Sequence, residues 1–176
     1  MPAWDQACAS HREAAARFVS RAREVSEESW KVARAPGKWS PAEIAEHLSL
    51  TYRHMLGELR GGPPARVKGS WLFRFVARYR FLPKLLRDGT IPAGVRAPRE
   101  VRPRMPAGDR AEALERFQGL SVEFEEEITR RRASGGGALT HPYFGALDPD
   151  RGIRFVEMHL RHHTRQLPEG PGVKTA

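Results

Sequence analysis

"DPDRGIRFVEMHLRHHTRQLP", residues 148–168, is the stretch of sequence that decides the fold. Its start is typical of a helix, because the Asp148 side chain can cap free backbone N–H groups and Pro149 suits the first helical turn. Four large apolar residues then recur at helical spacing: Ile153, Val156, Leu160 and Leu167. The pattern predicts an amphipathic helix that ends near Pro168 and packs one apolar stripe against other elements.

Three earlier segments show the same period. The first begins near Asp5, and the third begins at Asp109 and ends in an arginine run followed by glycines. The second opens at "WSPAE", where Ser40 and Glu43 form a capping box, and stops at the Gly-Gly-Pro-Pro run of residues 61–64. Together with the last helix, they predict four amphipathic helices.

The fold class predicted from these helices is all-α, a four-helix bundle. A sheet is not expected, because no segment alternates apolar and polar residues between turns. The division expected is one bundle domain over residues 1–168 and a flexible C-terminal tail over 169–176. A long crossover, residues 60–108, joins the second and third helices, and it carries one short extra helix. Its last part is Pro-rich and is expected to extend over the surface.

The crossover also holds the positive charge of the chain. The net charge is +9, whereas residues 60–104 alone contain ten Arg and two Lys against one Asp and one Glu. The short helix mixes these arginines with aromatic residues. It could be a lid on the bundle, a dimer contact, or a membrane or nucleic-acid surface. We favour the lid, with Trp71, Phe75 and Tyr79 buried against the bundle and Pro83 ending the helix.

Histidines cluster on the last helix. At about 100° per residue, His163 lies about 60° and His159 about 100° from Leu160, on one flank of the apolar stripe. This i, i+4 pair has the spacing at which two imidazoles share one cation. His162 falls about 160° away and is expected to be exposed to solvent. Gln166 lies on the flank of His159, where it is either a partner of the site or an ordinary polar residue.

A third ligand would come from the second helix, which carries His47 and His54 on the same flank. They are separated by roughly 10 Å along the axis, so one metal ion cannot bind both. Periodicity leaves the choice between them open. Three histidines without a carboxylate would leave a coordination position for water, as in catalytic zinc sites.

Two motifs resemble the DinB-like superfamily of metal-binding four-helix bundles. They are "GKWSPAEIAEHL", residues 37–48, and "HPYFGALDPDRGIRFVEMHLRHHTRQL", residues 141–167. The likeness is greatest to a branch marked by the HPYFG loop and the HLxHHxRQ helix. In that superfamily one histidine of the second helix and an HxxxH pair of the fourth hold a divalent metal. Carried over, the resemblance implies His47, His159 and His163 as the metal ligands.

The resemblance also implies a function. Characterised relatives are transferases and isomerases that use bacillithiol, mycothiol or glutathione. We therefore expect a divalent metal, zinc or nickel, that activates a thiol or water, with a small-molecule substrate and a low-molecular-weight thiol as co-substrate. The activity would be a thiol S-transferase or a hydrolase. The alternative is a non-enzymatic bundle that binds a metal or a polyanion.

Cysteine content and apolar patterning limit the kinds of site and the location that are expected. The one cysteine, Cys8, excludes an internal disulfide and a multi-cysteine zinc site, and it is expected to be a small packing residue. No apolar run could span a bilayer, and the N-terminus has no signal-peptide pattern, so a cytoplasmic protein is expected. No nucleic-acid-binding motif is found, and a homodimer is left open.

Overall fold

The structure is a computed structural model, and it describes residues 3–66, 69–89, 91, 97–104, 108–136 and 139–168. The predicted tail, residues 169–176, lies outside the described residues. The division into a domain and a tail therefore stays a prediction.

Four long helices form the bundle, as predicted: α1 (Ala3–Glu24), α3 (Pro41–Leu59), α6 (Arg110–Ala133) and α7 (Pro149–Thr164). A short helix α2 (Glu27–Trp30), which the sequence did not suggest, follows α1. In the bundle, α1 packs against α6 and α7, and α3 packs against α6. The all-α fold class is confirmed.

Local capping places the helix starts where the sequence predicted them. Ser40 and Glu43 make both hydrogen bonds of the capping box at the start of α3. Asp109 and Asp148 cap α6 and α7 through bonds from backbone N–H groups of the first turn. The start of α1 differs, because Asp5 lies inside its first turn instead of at the cap.

One prediction was wrong on a small scale, because a two-stranded antiparallel hairpin precedes α7. Strands β1 (Leu139–His141) and β2 (Gly145–Leu147) pair in the register Leu139 to Leu147. Three-residue strands are too short for alternation to show in a sequence. The "HPYFG" motif forms the turn, and Gly145 has a φ of 70°, a left-handed conformation that glycine adopts without strain.

The bundle core is aromatic where α1, α3 and α6 meet. The Phe18 and Phe117 rings lie 5.0 Å apart, and those of Tyr52 and Phe124 lie 5.4 Å apart, between centroids. All four side chains are buried to within 1% of full burial. Contacts of this kind hold α3 rigidly, and α3 is one of the two helices that carry the candidate ligands.

The crossover contains a continuous helical element made of α4 (Trp71–Val76), a π-helical turn (Ala77–Phe81) and α5 (Leu82–Asp88). The prediction that Pro83 ends this element was wrong. The Leu82 N–H bonds to the Ala77 carbonyl, five residues back, so the chain widens by one residue just before the proline. Pro83 then occupies the first turn of α5, where a missing N–H costs little.

The predicted burial of three aromatic residues of this element was also wrong. Trp71, Phe75 and Tyr79 are 71%, 55% and 63% exposed. The buried residues of the element are instead Ala77 and Leu82, which form a small second core with Phe144 and Leu147 of the hairpin. Apolar side chains surround most of this segment, so periodicity did not single out the face that meets the hairpin.

The remaining crossover is described only in part. Residues 99–101 form a short 3₁₀ turn that packs against α3 and buries Val101. Among the described residues, no helix combines the length and the apolar character needed to cross a bilayer.

Candidate metal centre

Three histidines meet between α3 and α7. His47 comes from the middle of α3, and His159 and His163 lie one turn apart on α7. The Nε2 atom of His159 is 3.3 Å from that of His47 and 3.0 Å from that of His163. One potential ligand atom from each ring lies within 4.8 Å of the other two. The structure thus brings together the three residues that the sequence indicated.

The other histidine of α3 and the other histidine of α7 lie outside this cluster. His54 lies two turns beyond His47 on α3, roughly 10 Å along the axis. His162 is outside as well, but the prediction that it faces solvent was wrong, because it is partly buried. Its Nε2 atom accepts a hydrogen bond of 2.8 Å from the amide nitrogen of Gln166. The helical angle placed His162 correctly around α7 but could not show this neighbour.

A backbone carbonyl fixes the tautomer of His47. The Nδ1 atom of His47 lies 2.7 Å from the carbonyl oxygen of Val101, in the 3₁₀ turn of the crossover. A carbonyl only accepts, so Nδ1 carries the hydrogen, and the neutral ring presents its lone pair at Nε2. The crossover therefore orients this candidate ligand. No side-chain pattern could have shown it, because the acceptor belongs to the backbone.

Gln166 fixes the tautomer of His163. Its side-chain oxygen accepts from His163 Nδ1 at 2.9 Å, while its amide nitrogen donates to His162. The sequence placed Gln166 beside His159 instead. The predicted angular position of Gln166 around the helix was wrong because α7 ends at Thr164. The residues that follow form a turn, in which the Gln166 N–H bonds to the His163 carbonyl.

The two fixed tautomers make lone pairs converge. The Nε2 lone pairs of His47 and His163 both face His159 Nε2, which can donate at most one hydrogen when its ring is neutral. At least one lone pair is then left facing another acceptor, which is unfavourable in a buried site. A cation at this point would satisfy all three rings, so the donor set fits a metal ion.

Burial keeps these rings in the form that binds metal. Burial lowers the pKa of His47 to about 4, although its hydrogen bond to Val101 favours the charged ring. Burial, and then the neighbouring histidines, hold the pKa values of His159 and His163 well below their ordinary range. The three imidazoles are therefore neutral at pH 7, and each has a lone pair available.

Aromatic rings form the walls of the site. The ring of Trp39, just before α3, lies 4.7 Å from that of His47 and, nearly parallel, 6.1 Å from that of His163, between centroids. Phe155 stacks on His159 at 6.2 Å. His47 and His163 are only 3% and 5% exposed, whereas His159 is partly exposed. Neither Trp39 nor Phe155 was among the site residues that the sequence indicated.

The turn of the hairpin packs against Phe155, one of these aromatic walls. The His141 Nδ1 atom accepts from the backbone N–H groups of Tyr143 and Phe144, at 3.2 and 3.3 Å. The His141 ring also packs against Phe155, 4.6 Å between centroids. The "HPYFG" motif therefore forms a structured turn, and its histidine organises it.

A second buried polar cluster lies elsewhere in the bundle. His11 of α1 contacts the Tyr52 hydroxyl at 2.8 Å through Nε2 and the Glu125 carboxylate at 3.0 Å through Nδ1. Its groups satisfy one another and join three helices, which indicates a structural role. Cys8 is buried nearby, and burial raises the pKa of its thiol, as expected for a packing residue.

Comparison with known families agrees with this arrangement. The family model of the DinB superfamily matches residues 10–167, a span that includes the three histidines, their hydrogen-bond partners and the aromatic walls. The chain belongs to the DinB superfamily. No curated protein and no solved structure gives a significant match.

For this DinB-superfamily protein, membership confirms the resemblance first seen in the motifs of α3 and α7. The superfamily is associated with metal binding, and the chain has a histidine trio that could hold an ion.

Proposed function

We propose that His47, His159 and His163 bind one divalent metal ion, zinc or nickel, through their Nε2 atoms. The observation that carries this proposal is the convergence of the Nε2 lone pairs of His47 and His163, whose tautomers are set by Val101 and Gln166. Ligating histidines typically use their other ring nitrogen in this way, which raises ligand basicity and fixes the ring.

The distances between the Nε2 atoms fit two imidazoles that share one tetrahedral ion. Two imidazole nitrogens bound tetrahedrally to zinc at about 2.0–2.1 Å lie roughly 3.3 Å apart. The distances between Nε2 atoms at His159 are 3.3 and 3.0 Å. Imidazole ligands also suit nickel, so the donor set does not separate the two ions.

We further propose that the protein is a metal-dependent enzyme, a thiol S-transferase or a hydrolase, acting on a small molecule. When bound, the ion would supply Lewis acidity, which lowers the pKa of a coordinated thiol or water. Three neutral protein ligands leave a position open, and the partly exposed side of His159 is where a thiol or water could enter. Trp39 and Phe155 would exclude bulk water from the other sides.

The rim of the site favours an anionic co-substrate. Burial, and then the positive charges of Arg165 and Arg34, lower the pKa of His162. Low-molecular-weight thiols carry carboxylates, which guanidinium groups bind well. His162 itself presents an acceptor nitrogen to Gln166 and is not assigned a catalytic role.

The test is elemental analysis of untagged protein purified near neutral pH, together with reconstitution by zinc or nickel. We expect one metal equivalent per chain in the wild type and little metal in the His163→Ala variant. Loaded protein is then assayed for consumption of bacillithiol, mycothiol or glutathione with an electrophilic co-substrate. Absence of stoichiometric metal after reconstitution would refute the site, whereas tight metal binding without turnover on any thiol would favour the non-enzymatic alternative.

A further inference from the structure

The crossover element exposes an unusual amount of apolar surface. Seven large apolar side chains within eleven residues are between 42% and 71% exposed: Trp71, Leu72, Phe73, Phe75, Val76, Tyr79 and Phe81. We call this set the aromatic face. In the part of the chain that the structure describes, only Val32 and Val122 are other large hydrophobic residues with comparable exposure. Contiguous patches of this kind mark interaction sites in soluble proteins.

Positive charge accompanies the aromatic face. Residues 69–89 contain five basic side chains and one acidic one, Asp88, so their net charge is 5 − 1 = +4. Lys84 and Arg87 pair with Asp88, and Arg78 donates to hairpin carbonyls. Arg74 and Arg80 lie among the aromatic residues themselves, and Arg80 is exposed.

The element is anchored to the hairpin through two buried residues. Ala77 and Leu82 pack against Phe144 and Leu147. Arg78 adds hydrogen bonds to the carbonyls of Phe144 and Ala146. Exposure of the aromatic face is therefore set by packing in the folded protein.

We propose that the aromatic face docks on an anionic phospholipid bilayer, with α4, the π-helical turn and α5 lying at the interface. Trp and Tyr side chains prefer the boundary between head groups and acyl chains, and arginines bind anionic head groups. The aliphatic Leu72 and Val76 add area that enters lipid but cannot stack on nucleic-acid bases.

Charge decides between lipid and a second copy of the chain. A two-fold dimer through the aromatic face would bring one segment of net charge +4 against its own copy. An anionic bilayer instead offers the opposite sign. The surface is separate from the metal centre, so the proposal does not depend on the proposed enzymatic function.

The experiment is flotation of metal-free protein with phosphatidylcholine vesicles, with and without phosphatidylglycerol, at low and high salt. We expect binding to the anionic vesicles, weakened by salt and at least about tenfold weaker on phosphatidylcholine alone. Trp71→Ser/Phe75→Ser/Tyr79→Ser should reduce binding to anionic vesicles by about tenfold or more. Because these side chains are exposed, the melting temperature should stay near that of the wild type.

A second variant keeps the test decisive if the triple variant does not fold. Arg74→Gln/Arg80→Gln should weaken anionic-vesicle binding by about 25-fold, about fivefold for each basic side chain near the surface. The matched controls are Val122→Ser on α6 and the pair Arg23→Gln/Arg53→Gln on α1 and α3, which should bind vesicles like the wild type.

Three results would overturn the proposal. One is absent or equal binding to both kinds of vesicle. Another is that the wild type sediments as a dimer and the triple variant as a monomer, which would make the face a self-association surface. The third is binding of single-stranded DNA, lost in both variants, without vesicle binding, which would assign the face to nucleic acid.

Discussion

Replacing Gln166 by Leu tests whether the orientation of His163 matters for metal binding. The substitution keeps most of the side-chain volume and removes the acceptor 2.9 Å from His163 Nδ1. Losing one such hydrogen bond costs about 0.5–1.5 kcal/mol, or roughly 2- to 13-fold in affinity. The His163 tautomer is also released, and loss of such partners typically weakens metal binding about 10–100-fold. We expect a loss of about tenfold or more in zinc affinity.

The assay is competition for zinc with a chromogenic chelator. His163→Ala provides the reference for loss of a ligand, and it should bind zinc more weakly than Gln166→Leu. Gln166→Glu retains an acceptor, and a charged one, so it should bind zinc at least as tightly as the wild type. His162→Ala leaves the three proposed ligands in place and should change affinity by no more than about threefold, because His162 is not a ligand and its side-chain hydrogen bond goes to Gln166.

Three outcomes would refute this reasoning. If Gln166→Leu binds zinc as tightly as the wild type, Gln166 does not set the tautomer of His163. If Gln166→Glu is as weak as Gln166→Leu, the residue contributes packing and not an acceptor. Equal loss from His162→Ala and His163→Ala would show that the ligand set is wrong.

Three further predictions concern stability of the metal-free protein. Burial lowers the pKa values of His47 and His141 to about 4, so between pH 4 and 6.5 the unfolded chain binds more protons than the folded one. Chemical denaturation from about pH 7 to about pH 4.5 should show that the free energy of unfolding decreases as the pH is lowered, by up to about 3 kcal/mol for each ring. His141→Asn should reduce this dependence on pH. Tyr52→Phe leaves the buried Nε2 of His11 without its partner and should cost about 1–3 kcal/mol in the free energy of unfolding, whereas no measurable cost would mean that the pair is not formed. Ser40→Ala removes one half of the α3 capping box and should cost about 1 kcal/mol in thermal unfolding, while an unchanged melting temperature would contradict the cap.

The sequence predicted the features that depend on neighbours along the chain. Ser40 and Glu43 are three residues apart, so their capping box was visible before any tertiary contact was known. The same holds for the start of α7 at Asp148 and for the shared flank of His159 and His163. These interactions span a single helical turn.

The features that were missed depend on distant segments. Val101 orients His47 through a backbone carbonyl, 54 residues away in the chain, and backbone atoms leave no side-chain pattern. The sequence predicted burial of Trp71, Phe75 and Tyr79 where Ala77 and Leu82 are buried instead, because the deciding partner is the hairpin, whose three-residue strands show no alternation. The choice of His47 over His54 came from the resemblance, and the structure places His47 beside His159.

Phe155 shows how the crossover and the candidate metal centre are connected. Its ring packs against His159 on one side and against His141 of the hairpin turn on another. It also contacts the small core that Ala77 and Leu82 of the crossover form with the hairpin. The crossover thus supports the wall beside the most accessible candidate ligand. Because Trp71, Phe75 and Tyr79 are exposed whereas Ala77 and Leu82 are buried against the hairpin, a surface could bind the exposed side chains while the packing at Phe155 stays in place.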